Sequence, residues 1–243
     1  MAKRWYQDHQ RDTWRRQAKS SGYRARSAFK LKQIQDRHSV IRTGDSVLDI
    51  GCHPGGWTQV ALELAGDGGK VVGVDLRATD PIPGATLLVG DIMAPSTLKL
   101  IQEENMGMDY NSVISDISPS LTGRYDTDQA ISLELSTMAL EVAMSLLAPG
   151  GSFVTKAFQG TGIELLVRAC RSRFSFVRRF SPIASRNASS EVYLVCKNKK
   201  PSQGGDRSSP IAEIRSGLEE LGVVPGNQEE SEESVVGFRR YVG

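Results

Sequence analysis

The stretch from Val47 to Trp57, VLDIGCHPGGW, decides the fold. The apolar run ending in Asp49 reads as a buried strand, and Gly51, Gly55 and Gly56 then give a tight turn into a helix carrying Val60, Leu62 and Leu64. Such a corner binds ligands, because small residues let a ligand approach the backbone and N–H groups at a helix start favour electronegative atoms. Beyond Trp57, short β-rich stretches recur at 70–76, 85–91, 111–117, 151–158, 174–180 and 190–196. Helical patterns separate most of them. In the clearest, Ile131, Leu135, Met138 and Val142 share one helix face until APGG from Ala148 stops the helix. Seven strands separated mostly by helices imply an α/β fold: a seven-stranded, mostly parallel sheet with helices on both faces. Ligands of such sheets bind at the carboxyl ends of the strands, near the switch point.

The chain has 243 residues, 39% of them apolar, enough for one large core with extensions. We divide it into a basic N-terminal extension (1–20), a core domain (21–200) and an acidic, flexible tail (201–243). Within the tail, PSQGGDRSSP reads as a linker, and Ile211, Ile214, Leu218 and Leu221 could form one amphipathic helix before the QEESEES stretch. The formal net charge of +2 conceals a segregation. Residues 1–40 carry a net +8, residues 41–164 a net −10, residues 165–200 a net +8 and residues 201–243 a net −4. Two basic segments flanking an acidic centre suggest a polyanion partner if they meet on one face. The three cysteines, Cys52, Cys170 and Cys196, make no CxxC pair and read as reduced, mostly buried thiols. No apolar run is long enough for a membrane span, no signal-peptide pattern opens the chain and no cluster has metal-ligand spacing, so a soluble, cytoplasmic, metal-free monomer is expected.

The turn GCHPGG (Gly51–Gly56) departs from the GxGxxG spacing of a dinucleotide site. Asp75 nevertheless closes the second strand 24 positions after Gly51, where a carboxylate can accept both hydroxyls of a ribose. Asp91, ending the third strand, suits an adenine amino group. An adenosine ligand without a pyrophosphate fits both, and S-adenosylmethionine is the commonest such cofactor.

GYRARSAFKL (22–31), GCHPGGW (51–57), DPIPGATLLVGDI (80–92), SDISP (115–119), LAPGGSFVTKAFQG (147–160) and SSEVYLV (189–195) resemble the FtsJ-type RNA ribose 2′-O-methyltransferases. The resemblance covers residues 20–198 in order, though Cys52 and His53 replace the small residues usual before PGGW. It implies a Rossmann-like methyltransferase fold using S-adenosylmethionine, and a ribose target in large-subunit ribosomal RNA, the A-loop uridine. A transfer-RNA anticodon-loop target is the nearest rival; a ribosome-assembly factor that only binds RNA is another. The family's Lys-Asp-Lys-Glu tetrad falls on Lys30, Asp116, Lys156 and Glu191, with Lys156 as proton acceptor. The resemblance also adds Trp57 and Asp116 to the cofactor set of Gly51, Gly55, Asp75 and Asp91. A ribose hydroxyl must lose its proton as it attacks a methyl group, so a base and tight alignment are needed. Lysine is a base only when neutral; desolvation and the like charge of Lys30 favour that state, while Asp116 and Glu191 oppose it. Whether Lys156 is the base or a steering group stays open at this level. Arg24 and Arg26 are expected among the RNA-phosphate contacts.

Overall fold

The protein was described from a computed structural model covering residues 13–119, 121–185, 190–201 and 208–223. The first twelve residues and the QEESEES stretch lie outside the described residues. A helix at 13–20 (α1) precedes α2 (Ala28–His38), β1 (Ser46–Ile50), α3 (Gly56–Ala65), β2 (Lys70–Asp75) and β3 (Ala85–Val89). There follow α4 (Pro95–Glu104), β4 (Tyr110–Ser115), α5 (Tyr125–Leu146), β5 (Leu147–Phe158), α6 (Ile163–Arg173), β6 (Phe174–Phe180), β7 (Glu191–Lys199) and α7 (Pro210–Glu220).

The strands form one seven-stranded sheet in the order β3-β2-β1-β4-β5-β7-β6. The first five are parallel, and β7 runs antiparallel between β5 and β6. Side chains alternate between the faces, as strand geometry requires. Val47, Val71, Ile114, Val154, Tyr193 and Val195 pack under α2 and α3. Leu48, Ile50, Val72, Val74, Val113 and Phe153 face the opposite way, toward α5, α6 and α7. The chain leaves β1 toward β2 and β3, then returns to β4 on the other side of β1. That reversal opens a crevice at the carboxyl ends of β1 and β4.

Part of the stretch read from sequence as a tail packs on the core. Ser209 caps α7, its hydroxyl accepting from Ala212 N, and Pro210 supplies the pre-set backbone angle of the first turn. Glu141 of α5 accepts from Ser209 Oγ at 2.6 Å and Ile211 N at 3.2 Å, while Arg173 pairs with Glu213 at 2.6 Å. Ile214 is buried in the core, whereas Leu221 lies beyond the helix and is exposed. No helix among the described residues is long and apolar enough to cross a membrane.

Ile214→Ala should lower the unfolding free energy by about 2–5 kcal/mol, the usual cost of truncating a buried isoleucine. Urea denaturation checks this; wild-type stability would mean that α7 is not docked.

Candidate active site

Lys156 sits near the end of β5 in an otherwise apolar strand and is 4% exposed. The antiparallel register sets it opposite Tyr193 of β7 and sets Phe158 opposite Glu191. Residues 191 and 193 therefore face the same side as Lys156, beneath α2. Asp116 follows β4 at the switch point. Lys156 Nζ donates to Asp116 O at 2.7 Å and to Asp116 Oδ1 at 3.1 Å. The same Oδ1 accepts from Tyr193 Oη at 2.7 Å. From α2, Lys30 Nζ reaches Glu191 Oε1 at 2.6 Å and Tyr193 Oη at 3.2 Å, and Ser185 Oγ donates to Glu191 Oε1 at 2.7 Å. The structure thus joins Lys30, Asp116, Lys156 and Glu191, 161 positions apart at the extremes, through a tyrosine.

The glycine corner borders this cluster. Gly51 has φ +77°, and a Cβ there would lie 2.2 Å from Ile117 Cγ1; Gly55 has φ +112° and opens α3. Trp57 is buried, donates from Nε1 to Ser27 O at 2.8 Å and stacks on Tyr193 with 5.7 Å between ring centroids. Asp75 ends β2 with Oδ2 accepting from His53 N at 3.0 Å and Oδ1 from Arg77 N at 2.9 Å, which fixes its orientation and leaves each oxygen a further lone pair. Asp91 Oδ1 accepts from Met93 N at 2.9 Å.

Residues 23–199 match the FtsJ-like methyltransferase family. The chain belongs to that family. It is 45% identical over 199 residues to the ribosomal RNA large subunit methyltransferase E of Methanosarcina mazei, covering 81% of this chain and 74% of that protein. It is 36% identical over 202 residues to the protein of the same name from Vesicomyosocius okutanii, covering 83% and 96%. A crystal structure of a Plasmodium falciparum protein, provisionally named a ribosomal RNA methyltransferase, superposes with a TM-score of 0.66 at 26% identity, over 74% of this chain and all of that one.

Charge states in this FtsJ-like methyltransferase follow from burial and pairing. Desolvation lowers the Lys156 amine below its ordinary value; Asp116 and Glu191 pull it up, Lys30 pushes it further down, and the outcome is a lowered pKa. Burial by itself would raise Asp116, yet Lys156, Lys30 and the Tyr193 hydrogen bond together hold it below the usual carboxylate range. Tyr193 is driven well above an ordinary phenol by burial and then by Asp116 and Glu191, so it stays a donor. Cys52, its thiol pushed up to about 12 by burial, is inert. All three cysteines are free and buried.

Three groups gain or change a role. Tyr193 has no place in the tetrad read from sequence, although its position two residues after Glu191 puts it on the same strand face. Asp49, beneath the glycine turn, is 0% exposed; its Oδ2 accepts from Thr58 Oγ1 at 2.6 Å, and its Oδ1 has no partner among the described residues. Arg24, expected among the phosphate contacts, has a structural part in the fold. Its guanidinium donates to Asp80 O at 2.6 Å and Pro81 O at 2.7 Å, tying the loop before β3 to the segment before α2. The two basic segments do meet, around His38. Lys197 Nζ donates to His38 O at 2.7 Å, and burial together with Arg37, Lys197 and Arg178 holds the His38 imidazole below its ordinary value.

Burial, then Thr58 in opposition, then repulsion by Asp116 and Asp75 leave Asp49 with a pKa of about 7, against 3.8 for an ordinary aspartate. The folded state therefore holds an extra proton between those values, so the stability carried by Asp49 is greatest below 3.8 and is lost as pH rises toward about 7. The unfolding free energy of the wild type relative to Asp49→Asn should fall across that interval and level off above it. A difference independent of pH would contradict a protonated Asp49.

Proposed function

We propose that this methyltransferase moves the methyl group of S-adenosylmethionine to a ribose 2′-hydroxyl of large-subunit ribosomal RNA, the A-loop uridine. The observation that carries the chemistry is the Lys156 amine. A neutral amine has two hydrogens and one lone pair, and both hydrogens have acceptors on Asp116, at 2.7 and 3.1 Å. The lone pair is then left for a third direction, as a base toward a hydroxyl proton.

The residues of the corner suit the cofactor. Asp49 Oδ1, a fully buried carboxyl oxygen with no partner among the described residues, calls for a positively charged or donating group, since an unpaired buried polar atom is otherwise costly. Asp49 and the backbone at Gly51 and Gly55 would hold the amino-acid end, Asp75 the ribose hydroxyls and Asp91 the adenine amino group, with Asp116 beside the reactive end and Trp57 backing the site. Bound there, S-adenosylmethionine supplies a methyl group on a cationic sulfur that an oxygen nucleophile can displace. Lys156 takes the proton of the ribose hydroxyl as its oxygen forms the new bond to carbon. Asp116, held ionised, stabilises the ammonium that results, and Tyr193 keeps that carboxylate in place. Lys30, paired with Glu191, adds the like charge that keeps the resting amine lowered.

The meeting of basic segments around His38 supports a polyanionic substrate, and the names of the relatives support ribosomal RNA. Mapping 2′-O-methyl positions in RNA from cells with and without the protein tests the target. Loss of one ribosomal position supports the proposal, and loss of a transfer-RNA position instead overturns it.

Lys156→Ala should retain cofactor and RNA binding but lose about 10²- to 10⁴-fold in single-turnover methyl transfer, the range for a positioned base. Lys156→Arg should rescue little, because a guanidinium keeps its proton; recovery of most of the rate would remove the proton-acceptor role. RNA affinity should fall steeply with salt, and the double variant Arg37→Ala, Arg178→Ala should flatten that dependence. An unchanged salt slope in filter binding would place the RNA on another surface.

A further inference from the structure

Two exposed side chains belong to segments tied to the tetrad's strands and helix, and the mechanism uses neither. Tyr125 opens α5 and is 56% exposed, yet its ring is anchored: the hydroxyl donates to Gln159 O at 2.6 Å. Gln159 lies three residues past Lys156, and its N–H donates at 2.8 Å to the carbonyl of Ser190, which adjoins Glu191. The ring is thus fixed to the two strands that carry half of the tetrad. Ile183, 75% exposed, stands on the other side. Its neighbour Ala184 donates from N to Gln33 of α2 at 3.3 Å, and Ser185 Oγ holds Glu191. Tyr125 therefore approaches from the α5 face of the sheet and Ile183 from the α2 face.

A ribose hydroxyl reaches the buried Lys156 only if its nucleotide leaves the RNA stack, and the base then loses its neighbours. A half-exposed aromatic ring with a tethered hydroxyl replaces them at little entropic cost. Resting on the reading of this site as a ribose methyltransferase, the geometry points to Tyr125 as the platform on which a nucleobase of the substrate RNA stacks, with Ile183 closing on the RNA from the opposite rim. Stacking on a π-face tolerates any base, so Tyr125 supplies affinity and orientation while sequence is read elsewhere.

The test uses the full chain and large ribosomal subunits from cells lacking the protein. Equilibrium binding is measured by filter retention, methyl transfer with tritiated S-adenosylmethionine, and cofactor affinity by calorimetry. Tyr125→Ala should weaken subunit binding about 5- to 150-fold, the span of a base–aromatic stack, with cofactor affinity unchanged. Tyr125→Trp should restore binding, and Tyr125→Phe, which keeps the ring but loses the tether, should fall between. Subunit binding of Tyr125→Ala within twofold of wild type overturns the proposal. So does a tryptophan variant as weak as alanine, or a cofactor affinity that falls in parallel with subunit binding. Wild-type protein that binds subunits without methylating them overturns the ribose-methylation reading alone, since the Tyr125 comparison is read from binding; wild-type protein that binds no subunits overturns both.

Discussion

A lysine amine buried inside a β-sheet must find acceptors within the fold, and the site is organised around the pair that Lys156 makes with Asp116. That contact requires Lys156 to sit one position beyond the last β4–β5 pair, Ser115 with Thr155, and requires β7 to return antiparallel beside β5 in one register. A slip of one residue between β5 and β7 would turn Tyr193 and Glu191 to the opposite face, leaving Lys156 without its neighbours. The extended apolar pairing of Val154, Val195 and Ile114 under α2 holds that register. Packing energy and site geometry are here one constraint: the residues that fill the core under α2 also fix the relative positions of two lysines and two carboxylates.

The second half of the site hangs on α2 and α3. α2 brings Lys30 onto Glu191, and Trp57 at the start of α3 clamps Tyr193 from the other side while its indole nitrogen binds the segment before α2. Tyr23 and Lys32 engage Glu63 of α3, and Arg24 holds the loop before β3. The segment carrying the basic N-terminal residues is therefore bound to both the glycine corner and the tetrad.

Much of this was legible in the sequence, for reasons that differ by residue. All seven strands announce themselves as short β-rich runs, and VLDIGCHPGGW marks the corner because strand, glycines and amphipathic helix adjoin in sequence. The placement of β7 between β5 and β6 leaves no local trace, being set by long-range pairing. Lys30, Asp116, Lys156 and Glu191 are far apart in the chain, and the family resemblance, rather than spacing, picks them out. Tyr193 escaped because a tyrosine in an apolar strand is an ordinary core residue; its hydroxyl acquires meaning only opposite Lys156. The part Arg24 plays in the fold leaves no local trace either, since an arginine in a basic run reads as a phosphate contact and the carbonyls of Asp80 and Pro81 come to it only in the folded chain. The α7 segment followed linker-like and acidic composition, and its docking depends on Glu141 and Arg173, which no local pattern links to it.

Burial and Lys30 together hold the Lys156 amine below an ordinary lysine, against the pull of Asp116. Titration of the protein carrying ¹³C at the lysine ε-carbon, with the Lys156 signal assigned by its loss in Lys156→Arg, measures this directly. The midpoint should lie below the ordinary value of about 10.4 and drop further in Asp116→Asn. A Lys156 midpoint at or above that of an exposed lysine would contradict it.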